Sequence, residues 1–164
     1  MEDLVGDYLW DHQKEQVPVQ EALTDKTMIG CYFSAHWSPP SRLFDQTLKE
    51  FYNHEINRFR KYSFQIVWFS EDRTQDSYER HLQRLETNWL HFKFDEDKES
   101  EFSKIRETVK RKLGASKVPQ LVVLSYPDLM LLSIDAVNEI LQHGAKAYKM
   151  WQETYVDGYK ARKY

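Results

Sequence analysis

Thr27-Met28-Ile29-Gly30-Cys31-Tyr32-Phe33-Ser34-Ala35-His36-Trp37-Ser38-Pro39-Pro40-Ser41-Arg42 decides the fold of this chain. Residues 27–33 form a short run of branched and aromatic residues, preceded by Asp25-Lys26, and read as a buried strand. Polar and proline residues then break the run. Ser38 is a natural helix N-cap, and Pro39 suits the first helical position because its missing N–H would have no partner there. From Pro39 the period becomes helical. Phe44, Leu48, Phe51, Tyr52, Ile56 and Phe59 recur at steps of three and four and place one apolar stripe along a helix. Such a stripe is more often core than a ligand box.

Working outward, Phe64-Gln65-Ile66-Val67-Trp68-Phe69 is a second apolar run with almost no alternation, as expected of a strand covered on both faces. Strand, helix and strand at this spacing make a βαβ unit. Tyr78, Leu82 and Leu85 mark a further amphipathic helix. Phe102, Ile105, Val109 and Leu113 mark another, with Gly114 placed to end it. Lys110-Arg111-Lys112 sits in that helix's last turn, where cations favour the dipole; it reads as a solvated helix end and is too short for a localisation signal. Gln120–Leu124 is a third strand, Tyr126-Pro127-Asp128 a turn and Leu129–Leu132 a fourth strand, paired as an antiparallel hairpin. Ala136 to about Trp151 reads as a final helix. The order predicts an α/β fold with a central mixed sheet flanked by helices.

The 164 residues suit one compact domain spanning 1–164. Net charge of −3 gives no general attraction to nucleic acid or anionic lipid. The single cysteine, Cys31, lies inside the first strand and reads as a small buried hydrophobe, so no internal disulfide is possible. Met1-Glu2-Asp3-Leu4 lacks a basic n-region, and no stretch approaches about 18 apolar residues. The cytosol, with the nucleus as a second compartment, is the expected location; no membrane partner is expected. The six histidines show no metal-ligand spacing, and each is expected at the surface or half buried, without metal or cofactor. A hydrolase built on Ser38 and His36 lacks an acid to orient the histidine.

Tyr32-Phe33-Ser34-Ala35-His36-Trp37-Ser38-Pro39-Pro40-Ser41-Arg42 resembles the Tyr-Phe-Ser-Ala-x-Trp-Cys-Pro-Pro-Cys-Arg signature of the tryparedoxin and nucleoredoxin branch of the thioredoxin superfamily. Phe51-Tyr52, Val67-Trp68-Phe69-Ser70-Glu71-Asp72-Arg73, Trp89-Leu90 ahead of Phe94 and Val118-Pro119-Gln120-Leu121-Val122-Val123 extend the likeness over most of the chain. The resemblance implies a thioredoxin-like three-layer fold, protein-disulfide reductase chemistry in the family and a cis-proline at Pro119. Tyr32 stands where thioredoxins proper carry a buried acid, as is usual in this branch. The turn Tyr126-Pro127-Asp128-Leu129 lacks the glycine of the family's last hairpin.

The two departures in the signature fall on the redox positions, Ser38 and Ser41. The chemistry needs a thiolate at the helix start and a second thiol to release the mixed disulfide. A hydroxyl is hardly ionised at neutral pH and forms no disulfide. A surface of Trp37, Pro39, Pro40, Val118 and Pro119, acting by shape and main-chain bonds, is independent of sulfur and would take a protein or peptide partner. Two readings follow. One is a redox-inactive binding or regulatory protein, expected to be a monomer. The other is the Cys-to-Ser form of an active reductase.

Overall fold

The structure, a computed structural model, describes residues 1–56 and 63–163, with only the backbone described at 54–56 and 162–163. Among the described residues, seven strands form one sheet: β1 (Tyr8–Trp10), β2 (Gln16–Pro18), β3 (Met28–Ser34), β4 (Phe64–Ser70), β5 (Leu90–His91), β6 (Gln120–Ser125) and β7 (Leu131–Ser133). Their spatial order is β2-β1-β5-β4-β3-β6-β7. β3 runs parallel to β4 and β4 to β5, whereas β6 is antiparallel to β3 and β7 to β6. The sheet is mixed, with the predicted βαβ unit at its centre.

The helices are α1 (Glu2–Val5), α2 (Val19–Ala22), α3 (Pro39–Glu50), α4 (Gln75–Leu85), α5 (Glu101–Leu113), α6 (Ala136–His143) and α7 (Lys146–Lys163). Every residue of β3, β4 and β6 is buried, so the unalternating runs do mark strands covered on both faces. Successive residues feed opposite cores. Tyr32, Ile66, Trp68 and Leu121 join α3, α4, α6 and α7 on one side; Cys31, Phe33, Val67 and Val122 join α1, α2 and α5 on the other. This is the expected three-layer α/β arrangement.

Several sequence expectations shift. The helix from Pro39 is α-helical to Glu50 and continues as a π-helical segment, Phe51–Ile56. Phe59, placed on the same stripe, lies outside the described residues, as does the side chain of Ile56. The final helix is two, broken at Gly144, whose φ of 56° lies in the left-handed region that glycine tolerates. The fourth strand starts at Leu131, because Leu129 itself takes the left-handed conformation (φ 55°) in the turn that has no glycine. The Ser125 hydroxyl secures that turn, donating to Asp128 and accepting from the Met130 N–H. The hairpin β1–β2 and the two-residue β5 have no counterpart in the sequence reading. They are too short to show a period, and pairing completes them, β5 against β4 and the hairpin against β5.

Gly30 marks a close approach between β3 and its neighbours. A Cβ there would sit 2.9 Å from Phe64 Cζ and 3.1 Å from Leu121 Cδ1. Phe64 cannot turn aside easily, since it stacks on Trp151 and packs against Tyr52 and Tyr148. Gly30→Ala should therefore overpack the core and lower stability by about 1–3 kcal/mol, read by urea unfolding. An unchanged midpoint would show that the aromatic cluster yields.

Candidate functional site

The loop between β3 and α3 is built by local rules. Ser38, in extended conformation, caps α3, its hydroxyl oxygen accepting from the Ser41 N–H at 3.3 Å, and the two prolines occupy the first helical positions. The Arg42 N–H bonds the Ser38 carbonyl at 3.1 Å. Pro39 and Pro40 have no N–H and that of Ser41 is used, so the helix start offers no free cluster of donors to an anion. Its dipole nevertheless points at Ser38.

Neighbouring segments hold the rest of the loop. The His36 N–H donates to Asp72 Oδ1 at 2.7 Å and its carbonyl accepts from the Arg42 guanidinium at 3.3 Å. Trp37 lies outward, 45% exposed, with its indole N–H on the Glu71 carbonyl at 3.0 Å and the Arg73 guanidinium over its ring at 4.6 Å. The opposing Val118–Pro119 peptide bond is cis.

Pro40, Val118 and Pro119 come together, lining an apolar groove of about 420 Å³ with Leu43, Phe44 and Leu141. Leu43 is 75% and Leu141 59% exposed. Trp37 stands apart from that groove. It lines a second cavity of about 350 Å³ with Arg73, Phe94 and Arg106. Pro39 is exposed at the loop but lines neither cavity.

Ser38 is 5% exposed and Ser41 fully buried. The Ser41 hydroxyl has no hydrogen-bond partner, a costly arrangement for an oxygen and a mild one for a sulfur. The Ser38 oxygen is engaged in capping, and no hydrogen bond among the described residues joins it to His36. The Nδ1 atom of His36 is itself buried without a partner. Cys31 points into the core formed with α1, α2 and α5, where burial pushes its thiol up to about 12, so it is a neutral packing group.

The expectation that every histidine lies at the surface or half buried is wrong for two of them. His91 is 3% exposed, and burial pushes it down to about 4, leaving a neutral ring. His81 is fully buried beneath the loop between Asp45 and Asp72, both within 2.9 Å of its ring nitrogens. A sequence signal existed: His81 lies three residues after Tyr78 and four before Leu85, on the apolar stripe of α4. Asp45 likewise falls three residues before Leu48 on the buried side of α3. Each stripe marks a buried polar residue; it does not name the partner. Among the described residues, no group of three or more histidine, cysteine or acidic side chains is disposed to hold a metal ion.

The thioredoxin-like family pattern matches residues 25–129, which contain β3, the loop, α3 and Pro119. The chain is 32% identical over 133 residues to a probable nucleoredoxin 3 of Oryza sativa subsp. japonica, covering 81% of this chain but only 26% of that protein. Thioredoxin from Wuchereria bancrofti superposes with a TM-score of 0.70 at 28% identity, covering 84% of this chain and 87% of that one. Tryparedoxin from Trypanosoma brucei shares the fold with a TM-score of 0.72 at 21% identity, covering 90% and 92%. A buried parallel βαβ centre, a proline-started helix after Trp37 and the facing Val118–Pro119 segment all lie within the matched region. The chain belongs to the thioredoxin-like family, with nucleoredoxins among its relatives.

Proposed function

We propose that this chain binds a protein or peptide partner at its loop surface and, with serine at 38 and 41, carries out no dithiol–disulfide exchange. The observation that carries this reading is the open apolar groove beside Val118–Pro119, floored by Phe44 and flanked by the exposed Leu43 and Leu141. Exposed aliphatic side chains around a groove mark an interaction site. The Val118 backbone supplies main-chain pairing to an extended segment, and Trp37, at the separate second cavity, offers an exposed aromatic contact outside the groove. The loop holds no thiol, and the neutral, buried Cys31 offers no substitute. Among the described residues, no helix is long and apolar enough to cross a membrane. A monomer in the cytosol or nucleus completes the proposal.

Selection from a random peptide library, with purified chain as bait, tests it. Selected peptides should bind the parent at least about tenfold more tightly than Leu43→Asp, a charge placed in the groove, as read by calorimetry. Failure to enrich any peptide, or equal affinity for both forms, would overturn the reading.

One observation favours the second reading, a disarmed reductase. The fully buried Ser41 hydroxyl has no partner, as though that position were shaped for a thiol. Codons 38 and 41 of the gene decide between the two readings: cysteine there would mean that the parent is an enzyme.

A further inference from the structure

One backbone tie of the loop that carries Trp37, the His36 N–H, runs through a buried side chain. Asp72 Oδ1 accepts from the His36 N–H at 2.7 Å and from the Ser77 hydroxyl at 3.1 Å. Asp72 Oδ2 accepts from the Ser70 hydroxyl at 2.7 Å and lies 2.9 Å from His81 Nδ1. His81 Nε2 lies 2.9 Å from Asp45 Oδ2, which also accepts from the Arg84 guanidinium at 2.9 Å. Asp45 Oδ1 accepts from the Tyr32 hydroxyl at 2.7 Å. The side chains of Asp45, Asp72 and His81 are wholly removed from solvent.

A neutral imidazole has one donor nitrogen and one acceptor, so between two carboxylates it would set its lone pair against an oxygen. Both nitrogens must carry protons for both contacts to be favourable. Charge also balances in that state, two carboxylates against one imidazolium and one guanidinium, as burial requires.

We propose that His81, as an imidazolium, is the positioning residue of the Trp37 loop. It joins Asp72, which holds the loop's backbone, to Asp45 on α3, and so fixes the loop against the helix that starts at Ser38. Loss of its proton loosens that tie.

The groups facing His81 are Asp45 from α3, Asp72 from the segment after β4 and His36 from the loop, with Tyr32 of β3 and Arg84 of its own helix bonded to Asp45 behind it. The His36 ring centroid is 6.0 Å away. Trp68 packs edge-on at 4.7 Å and excludes water. Burial alone pushes His81 down, but the hydrogen bonds and charges of Asp45 and Asp72 outweigh it, and the net direction is up. His36 moves the other way, lowered first by burial and then by the charges of Arg84 and His81, so the two rings titrate apart. With a raised folded-state value, the tie is fully present below the ordinary histidine pKa of about 6.5 and is lost as pH rises through the folded value.

The consequence for a partner rests on the binding reading above, but the test needs no partner. In ring-labelled protein at about pH 6, long-range proton–nitrogen NMR should show both His81 nitrogens protonated. As pH rises, protection of the His36 amide, corrected for intrinsic exchange, should fall in one step with His81 titration, and the Trp37 indole N–H resonance should shift in the same step. In His81→Gln the step should vanish and the His36 amide should exchange at least about tenfold faster at about pH 6. A neutral His81 ring at that pH, or loop signals indifferent to its titration, would overturn the proposal. The titration in the unmodified chain decides the matter even where the variant does not fold. A chain that passes these measurements yet enriches no peptide refutes the binding reading alone.

Discussion

Replacing Asp45 with alanine should lower the folding free energy by about 3–5 kcal/mol, among the largest losses any single substitution in this chain would cause. The carboxylate is fully buried. It accepts the Tyr32 hydroxyl and the Arg84 guanidinium and faces His81, so its removal strips three partners at once. The positive charges of His81 and Arg84 would then face Asp72 alone. The penalty is mainly that of buried charge left uncompensated, not of the lost bonds themselves. Urea unfolding near neutral pH reads the effect, with a lower midpoint at an unchanged slope. Asp45→Asn keeps the volume and one acceptor and should cost less. A loss below about 1 kcal/mol for the alanine variant would mean that water or a side-chain rearrangement compensates the network. Asp72 sets the acid limit of the same network. Burial raises its pKa, but the His81, Ser70 and His36 N–H bonds lower it further, so its contribution is lost as pH falls through that lowered value.

The double variant Ser38→Cys, Ser41→Cys should gain insulin-disulfide reduction with dithiothreitol as electron source, where the parent shows no rate above the uncatalysed one. The gain is one of kind. The first sulfur would lie at the start of α3, where the dipole and the backbone N–H of residue 41, which now donates to Ser38, would favour a thiolate. The second sulfur would fill a site that is fully buried and that leaves a hydroxyl unpartnered. Two electrons pass from this dithiol to the substrate disulfide, giving two substrate thiols and an enzyme disulfide that dithiothreitol reduces. Ser41→Cys alone should also raise stability, by about 1 kcal/mol, because a thiol loses little when buried without a hydrogen bond. An inert double variant that folds as the parent does would show that more than two sulfur atoms separates this site from a reductase.

Much of the architecture was legible in one stretch. Residues 27–42 specify a strand, a break and a capped helix through interactions that span four residues or fewer, and such signals survive in a linear reading. The runs at 64–69 and 120–124 are equally plain, because a strand buried on both faces is apolar at nearly every position, Gln65 and Gln120 being the polar exceptions. The hairpin Tyr8–Trp10 with Gln16–Pro18 was not legible. Each strand is three residues long, its turn is held by Asp11 accepting from the Gln13 and Glu15 N–H groups, and it exists because β5 offers an edge.

The site divides in the same way. The sequence by itself determined the loop's chemistry: serine at both redox positions, a proline-started helix and a tryptophan before it. These are matters of residue identity and near neighbours. Only the tertiary structure decided that Trp37 lines a different cavity from Pro40, Val118 and Pro119, and that the loop is anchored through His81. Asp45 and His81 stand 36 positions apart, and their meeting depends on α3 and α4 packing on the same face of the sheet. A charge buried in an apolar interface is stable only beside its partner, and that partner is chosen by packing, which no local pattern of residues encodes.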